Sequence, residues 1–231
     1  MRLLLIRHGQ TPNNVIGALD TARPGAGLTP LGFAQAAAIP REIAHEPIEA
    51  IHASPLVRTQ LTAAPLGRTR GLDVGIAEGV EEISAGRLEM RRDGDAVGEY
   101  VDAALRWLSG DLAHAIAGGE TGHEFFERFD AAVETIARAH SSGAAVVVSH
   151  GAAIRVWAAS RAIDVDPGEV VRRRLQNTGL CVLEGDPDEG WRLERWHEEP
   201  LGGTGLEDES ARDVTGEPDE ADQVVANEAT A

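Results

Sequence analysis

An arginine, a histidine and a glycine stand together at the end of a short apolar run, Leu3-Leu4-Leu5-Ile6 followed by Arg7-His8-Gly9-Gln10-Thr11. A strand ending this way delivers a guanidinium and an imidazole to one edge of a sheet. The carboxyl ends of strands are where open α/β sheets bind ligands. Taken alone, the triplet is most simply a strand cap with two solvated polar residues. The pattern recurs, however: Ala144 to Val148 is the clearest buried strand, and it ends in Ser149-His150-Gly151. A third apolar stretch, Ala50-Ile51-His52-Ala53, runs into Ser54-Pro55, read as an N-cap and first-turn proline, with Arg58 in the helix behind it. A guanidinium beside free backbone N–H groups makes an anion site. Two guanidiniums and two imidazoles at strand ends suit a doubly charged tetrahedral anion, and phosphoryl is the natural candidate.

The elements that must position these residues follow from periodicity. Pro12 to Leu28 reads as a loop across the ligand end of the sheet. Thr29-Pro30 opens a helix with Leu31, Ala34 and Ala38 on one stripe. Leu72 to Ile76 reads as a strand, and Gly98 to Ile116 as a helix. Thr121 to Glu124 has capping-box spacing ahead of the stripe Phe125, Phe129, Val133, Ile136. His123-Glu124 resembles half of a zinc-protease motif, but the second histidine is missing and a solvated helical face explains the pair as well. A helix from Ala152 to Ala162 follows His150. Val171 to Arg174 reads as a solvated charge run. Gly179 to Leu183 and Trp191 to Trp196 form an edge hairpin around the turn at Asp186 to Gly190. Alternating strands and helices predict an α/β three-layer sandwich, a mostly parallel central sheet with helices on both faces.

Composition narrows the function. The chain has 231 residues, 42% of them hydrophobic, enough for one substantial core. A single cysteine, Cys181, excludes an internal disulfide framework, and no run has the length of a signal peptide or a membrane span, so a cytoplasmic protein is expected. Of the net charge of −17, residues 198–231 carry −10 and the rest −7. That balance argues against nucleic acid, and neither a membrane nor a nucleic-acid partner is expected. The apolar-poor stretch 198–231 is expected to be a disordered acidic tail behind one domain, 1–197. All 21 basic residues are arginine, so any anion site must use guanidinium. Assembly is left open between a monomer and a homodimer.

The residues quoted so far carry a resemblance. Arg7-His8-Gly9-Gln10-Thr11 with Asn14, Ser54-Pro55-Leu56-Val57-Arg58-Thr59, Gly119-Glu120-Thr121 and Ser149-His150-Gly151 are similar, in order, to the signatures of the histidine phosphatase superfamily, also called phosphoglycerate-mutase-like. Leu28 to Gly32 with Gln35-Ala36 resembles a further, weaker stretch. The resemblance implies that His8 is the nucleophile that becomes a phosphohistidine. It implies that Arg7, Arg58 and His150 hold the phosphoryl oxygens, with Asn14 helping. The family's proton donor, a glutamate four residues before a glycine, falls on Glu82, ahead of Gly86; Glu81 is the fallback. No metal or cofactor is implied.

Elementary chemistry agrees with those roles. Neighbouring arginines keep an imidazole neutral and nucleophilic. Fixed guanidiniums stabilise charge on the equatorial oxygens of phosphoryl transfer. A glutamate beside a phosphate dianion retains a proton for the leaving group. Where the family often has an aromatic, a glutamate and a glycine, this chain has Leu88, Glu89 and Met90. The segment from Glu82 to Glu120, which includes the covering segment 87–118, is short compared with that of the family's mutases, which favours a phosphatase over a mutase that must shield its intermediate. Arg91 and Arg92 in it are candidates for reading a second anionic group on the substrate. The expected function is hydrolysis of a small phosphomonoester. A cofactor-dependent phosphoglycerate mutase and a non-catalytic phospholigand-binding module are the alternatives.

Overall fold

Side chains along Arg2–Arg7 (β1) alternate between two cores, Leu3 and Leu5 to one face, Leu4 and Ile6 to the other. A strand buried on both faces needs layers above and below it. The computed structural model describes residues 1–140 and 143–216. Among them, six strands form one sheet: β1, Ile48–Ala53 (β2), Val74–Ile76 (β3), Ala144–Ser149 (β4), Leu180–Asp186 (β5) and Gly190–His197 (β6). Their order is β3-β2-β4-β1-β5-β6. The first four are parallel, and β5 and β6 form the antiparallel edge hairpin.

Helices Pro30–Glu42 (α2) and Val57–Arg70 (α3) cover the Leu4/Ile6 face with Ile39, Ala63 and Leu66. Gly94–Leu108 (α4), Gly122–Ala139 (α5) and Gly151–Arg161 (α6) cover the other. Stacked pairs Trp107–Phe125 and Phe129–Trp157 fill that second layer. Capping sets several boundaries. Thr121 and Glu124 form the expected capping box of α5, which engages the Glu124 carboxylate at the helix N-terminus. Asp93 caps α4, which starts at Gly94, four residues ahead of the expected Gly98, and ends at Leu108 rather than Ile116.

Three local departures from the sequence reading concern two short helices and a cap. The loop at 12–28 contains a short helix, Pro12–Ile16 (α1), made by a capping box between Thr11 and Asn14. Ser54 is not the N-cap of α3, which begins at Val57 behind Leu56 with no side-chain cap, because Ser54 is turned toward the site. A further short helix, Pro167–Val171 (α7), precedes the arginine run.

Residues 198–216, expected to be part of a disordered tail, are ordered and return across the carboxyl end of the sheet. Leu201 is buried, and Gln35 Nε2 donates to the Leu206 carbonyl at 2.8 Å. Farther on, Gln10 holds Asp208, and Leu175 N–H donates to the Gly216 carbonyl at 2.8 Å. Low apolar content mispredicts this segment because polar anchors hold most of it, with only Leu201 in the Leu4/Ile6 core and Val214 packed against the other. Residues 217–231 lie outside the described residues. No helix among those described is long and apolar enough to cross a membrane.

Candidate active site

β1 and β4 are neighbours in parallel register, with Arg7 opposite Ser149. His8 and His150 therefore leave the sheet side by side, their rings 5.3 Å apart and edge to face. Ala53 of β2 lies opposite Val148, which brings Ser54 to the same edge. Ser54 Oγ is 2.7 Å from His150 Nε2, so the other ring nitrogen, Nδ1, points elsewhere and has no partner.

His8 is almost wholly buried, and its Nδ1 lies 2.8 Å from the Gly9 carbonyl. A carbonyl can only accept, so Nδ1 carries the hydrogen and Nε2 presents its lone pair. Burial, followed by Arg58 and Arg7, pushes the His8 pKa well below 6.5. The same burial, with Arg58 and His8 itself, does so for His150. Both rings are neutral at physiological pH, which a nitrogen nucleophile requires.

Three charged side chains surround this pair. Arg58 Nη2 donates to the Asp20 carbonyl at 2.7 Å, while its Nε and Nη1 are buried without hydrogen-bond partners. Arg7 is fully buried, and its Nε is likewise unpartnered. Glu82 accepts from Ala153 N–H at 2.8 Å and Ala152 N–H at 3.2 Å, in the first turn of α6, and from Ile83 N–H at 3.0 Å. Burial raises its pKa above the usual carboxylate value, against the pull of those N–H groups and of Arg58 and Arg7. Buried donors without hydrogen bonds are costly, about 1–3 kcal/mol each, and their concentration here suits an anion, although Arg58 Nη1 also lies 3.5 Å from the Asp20 carboxylate.

Two spaces meet at Glu82. A cavity of about 10 Å³, room for one water, is lined by His8, Asn14, Arg58, Glu82 and Thr215 among others. A wider groove of about 570 Å³ runs from Glu82 past Thr21, Ser84, Glu120 and Arg128. Glu82 is thus shared between the cavity at His8 and the groove.

The expected residues His8, Arg7, Asn14, Arg58, Glu82 and His150 come together. Arg91 and Arg92 do not: both are exposed, Arg91 is paired with Asp93, and neither lines the cavity or the groove. Gly9 marks a close approach between two elements. A Cβ there would lie 2.7 Å from the Gly32 carbonyl, so glycine permits α2 to abut β1. Met90, standing where the family often has glycine, adopts φ +62°. Sequence reasoning missed Ser54 as the partner of His150, although it lay inside a quoted motif. It also missed Glu89, which accepts from Thr21 and Ala22 and fixes the loop beside Asp20. Asp213 and Thr215, both bonded to Arg7, fell in the stretch read as disordered.

Comparison with known proteins covers the same span. The chain is 36% identical over 217 residues to a PE-PGRS family protein, PE_PGRS11, of Mycobacterium tuberculosis, matching 87% of this chain and 37% of that one. It therefore spans about a third of that relative's length. A putative phosphoserine phosphatase 2 from Hydrogenobacter thermophilus is 31% identical over 150 residues, 65% of this chain and 73% of the relative. Among solved structures, the native structure of a mycobacterial glucosyl-3-phosphoglycerate phosphatase superposes with a TM-score of 0.72 at 25% identity, covering 86% of this chain and 99% of that one. The profile of the histidine phosphatase superfamily (branch 1) matches residues 3–199. With the fold, the ordered motifs and that match in agreement, the chain belongs to the histidine phosphatase superfamily.

Proposed function

We propose that this chain is a phosphomonoesterase that works through a phosphohistidine on His8. The observation that carries the reading is the free Nε2 of His8, held neutral and aimed into a cavity shared with Arg58 and Glu82. Nε2 attacks phosphorus as the ester P–O bond breaks. Arg7 Nε, Arg58 Nε and Nη1 and His150 Nδ1 hold the phosphoryl oxygens, and Asn14 lines the same cavity. Glu82 gives its proton to the leaving oxygen and then takes one from the water that cleaves the P–N bond. The scheme calls for no metal or cofactor. A small phosphorylated substrate fits the groove beside Glu82, and a cytoplasmic setting suits such a substrate and a lone thiol. Whether one copy or a homodimer acts is read by light scattering.

The test is hydrolysis of an aryl phosphate by wild type and His8→Ala. Loss of the nucleophile is expected to cost on the order of 5 kcal/mol of barrier, several thousand-fold in rate. Labelled substrate should leave a protein-bound label that is stable to base and labile to acid. Undiminished hydrolysis by His8→Ala would reject the mechanism. Stimulation by a bisphosphorylated primer without net phosphate release would assign a mutase instead. Phosphate binding with no turnover across a broad panel would assign a binding module.

A further inference from the structure

Arg7 commits most of its guanidinium to the C-terminal strap, residues 207–216. Nη1 donates to Asp213 Oδ2 at 2.5 Å and to the Leu175 carbonyl at 2.9 Å. Nη2 donates to Asp213 Oδ1 at 2.5 Å and to Thr215 Oγ1 at 3.0 Å. These bonds account for all four Nη hydrogens and leave only Nε–H, buried and unpartnered. Asp213 is itself only 9% exposed, and Asn14 Nδ2 donates to its Oδ1 at 3.1 Å.

The strap is shaped around that guanidinium. A Cβ on Gly216 would collide with Arg7 Nη1, and one on Gly151 would collide with the Thr215 carbonyl. Arg155, also buried, donates to the same carbonyl at 3.1 Å. A carboxylate facing a phosphate-binding arginine can be a plug in the phosphoryl position or a brace behind the arginine, and its placement decides between them. From the strap, Thr215 lines the cavity at His8, whereas Asp213 lines a separate space with Gln10 and Asn177. The donors suited to a phosphoryl group, on Arg7, Arg58 and His150, are left free by it.

We propose that Asp213 is a positioning residue: it grips the far edge of Arg7 so that Nε–H faces the phosphoryl group, and residues 207–216 are part of the active site. A bidentate carboxylate fixes both the place and the plane of a guanidinium, which a lone arginine with several rotatable bonds cannot do for itself. The proposal rests on the phosphohistidine reading above.

The experiment is a double-mutant cycle on the full chain, measuring kcat and KM for an aryl phosphate and the affinity for inorganic phosphate by calorimetry. Asp213→Asn, similar in shape but uncharged, is expected to lower kcat/KM on the order of 100-fold, with KM raised and phosphate bound more weakly. In an Arg7→Ala background the same substitution should cost almost nothing further. Asp213→Glu, which keeps the charge but displaces it, should fall between wild type and Asp213→Asn, and it carries the comparison if the amide variant does not fold. A rise in kcat/KM for Asp213→Asn would show a plug and overturn the proposal. Equal losses in both backgrounds, or fewer active molecules at unchanged KM, would show a merely structural contact. If wild type hydrolyses no phosphomonoester, the phosphohistidine reading fails separately, while the phosphate affinities still report the coupling of Asp213 to Arg7.

Discussion

Glu82 is asked to do two opposed things, and its surroundings explain how one carboxyl can do both. Burial favours the neutral acid, while three backbone N–H donors and the fields of Arg58 and Arg7 favour the anion. Burial wins, so the group keeps its proton above the usual carboxylate range, and the donors that oppose it stabilise the anion formed once the proton has gone to the leaving group. The sign of the pH effect follows. As pH rises through this raised pKa the acid is lost, so kcat/KM for an alkyl phosphate, whose alkoxide needs a proton, should decline on the alkaline side. His8 titrates well below 6.5, so it contributes no alkaline limb. An aryl phosphate with a good leaving group should show a flatter profile, because little protonation is required. Glu82→Gln should slow the alkyl ester by about 10²–10⁴-fold and the activated ester much less. Equal losses on the two esters in steady-state assays would remove Glu82 from the proton-transfer role.

The elements hold these residues through contacts between backbones as much as through the core. A Cβ on Gly32, in the first turn of α2, would collide with the Gln10 carbonyl, and the reciprocal limit applies at Gly9. Alanine normally gains about 1 kcal/mol over glycine within a helix. Here the obstacle is backbone that can yield only by moving α2 off the strand end that carries His8, at roughly 1–3 kcal/mol. Gly32→Ala is therefore expected to lower the urea midpoint, and to reduce kcat as well because His8 adjoins Gly9. At Met90 the balance runs the other way: φ +62° costs a side chain about 1 kcal/mol that glycine does not incur, so Met90→Gly should stabilise by about that much. An unchanged denaturation midpoint would show that the Met90 side chain compensates for the strain. The six strands, the helices other than α1 and α7, and the convergence of Arg7, His8, Arg58 and His150 on one sheet edge were legible because burial on two faces writes itself as apolar runs and strand ends are marked by polar residues, whereas Asn14 and Glu82 were placed by the family resemblance alone. Close approaches such as Gly9 to Gly32 were not legible, since a glycine reads the same whether it turns, caps or makes room. Nor was the strap, because polar anchoring leaves no hydrophobic period.

At the scale of the whole molecule, the site's buried neutral imidazoles are a liability in acid. His8 and His150 are held well below the ordinary value of 6.5, chiefly by burial, and His52 is lowered by burial and by His140. A group with a depressed folded-state pKa contributes stability above its unfolded pKa and loses it as pH falls. Below about pH 6.5 the unfolded chain binds protons that the folded chain refuses, and each such proton costs about 1.4 kcal/mol per pH unit. Two influences oppose this. Glu82, with its raised pKa, takes a proton more readily when folded, but it is one group against three. Repulsion within a chain of net charge −17 also relaxes toward its isoelectric point near 4.8. The wild-type slope therefore mixes terms, and the informative quantity is a difference. A His8→Gln/His150→Gln double variant removes the two buried imidazoles and leaves the surface charge untouched. Unfolding free energies measured by urea at pH 7 and pH 5.5 should fall more steeply for wild type than for the double variant, by up to about 2.7 kcal/mol per pH unit for two protons. Parallel curves would mean that the two rings accept protons in the folded state, and a protonated His8 could not be the nucleophile at that pH. One stability measurement thus tests the same neutral imidazole that the chemistry depends on.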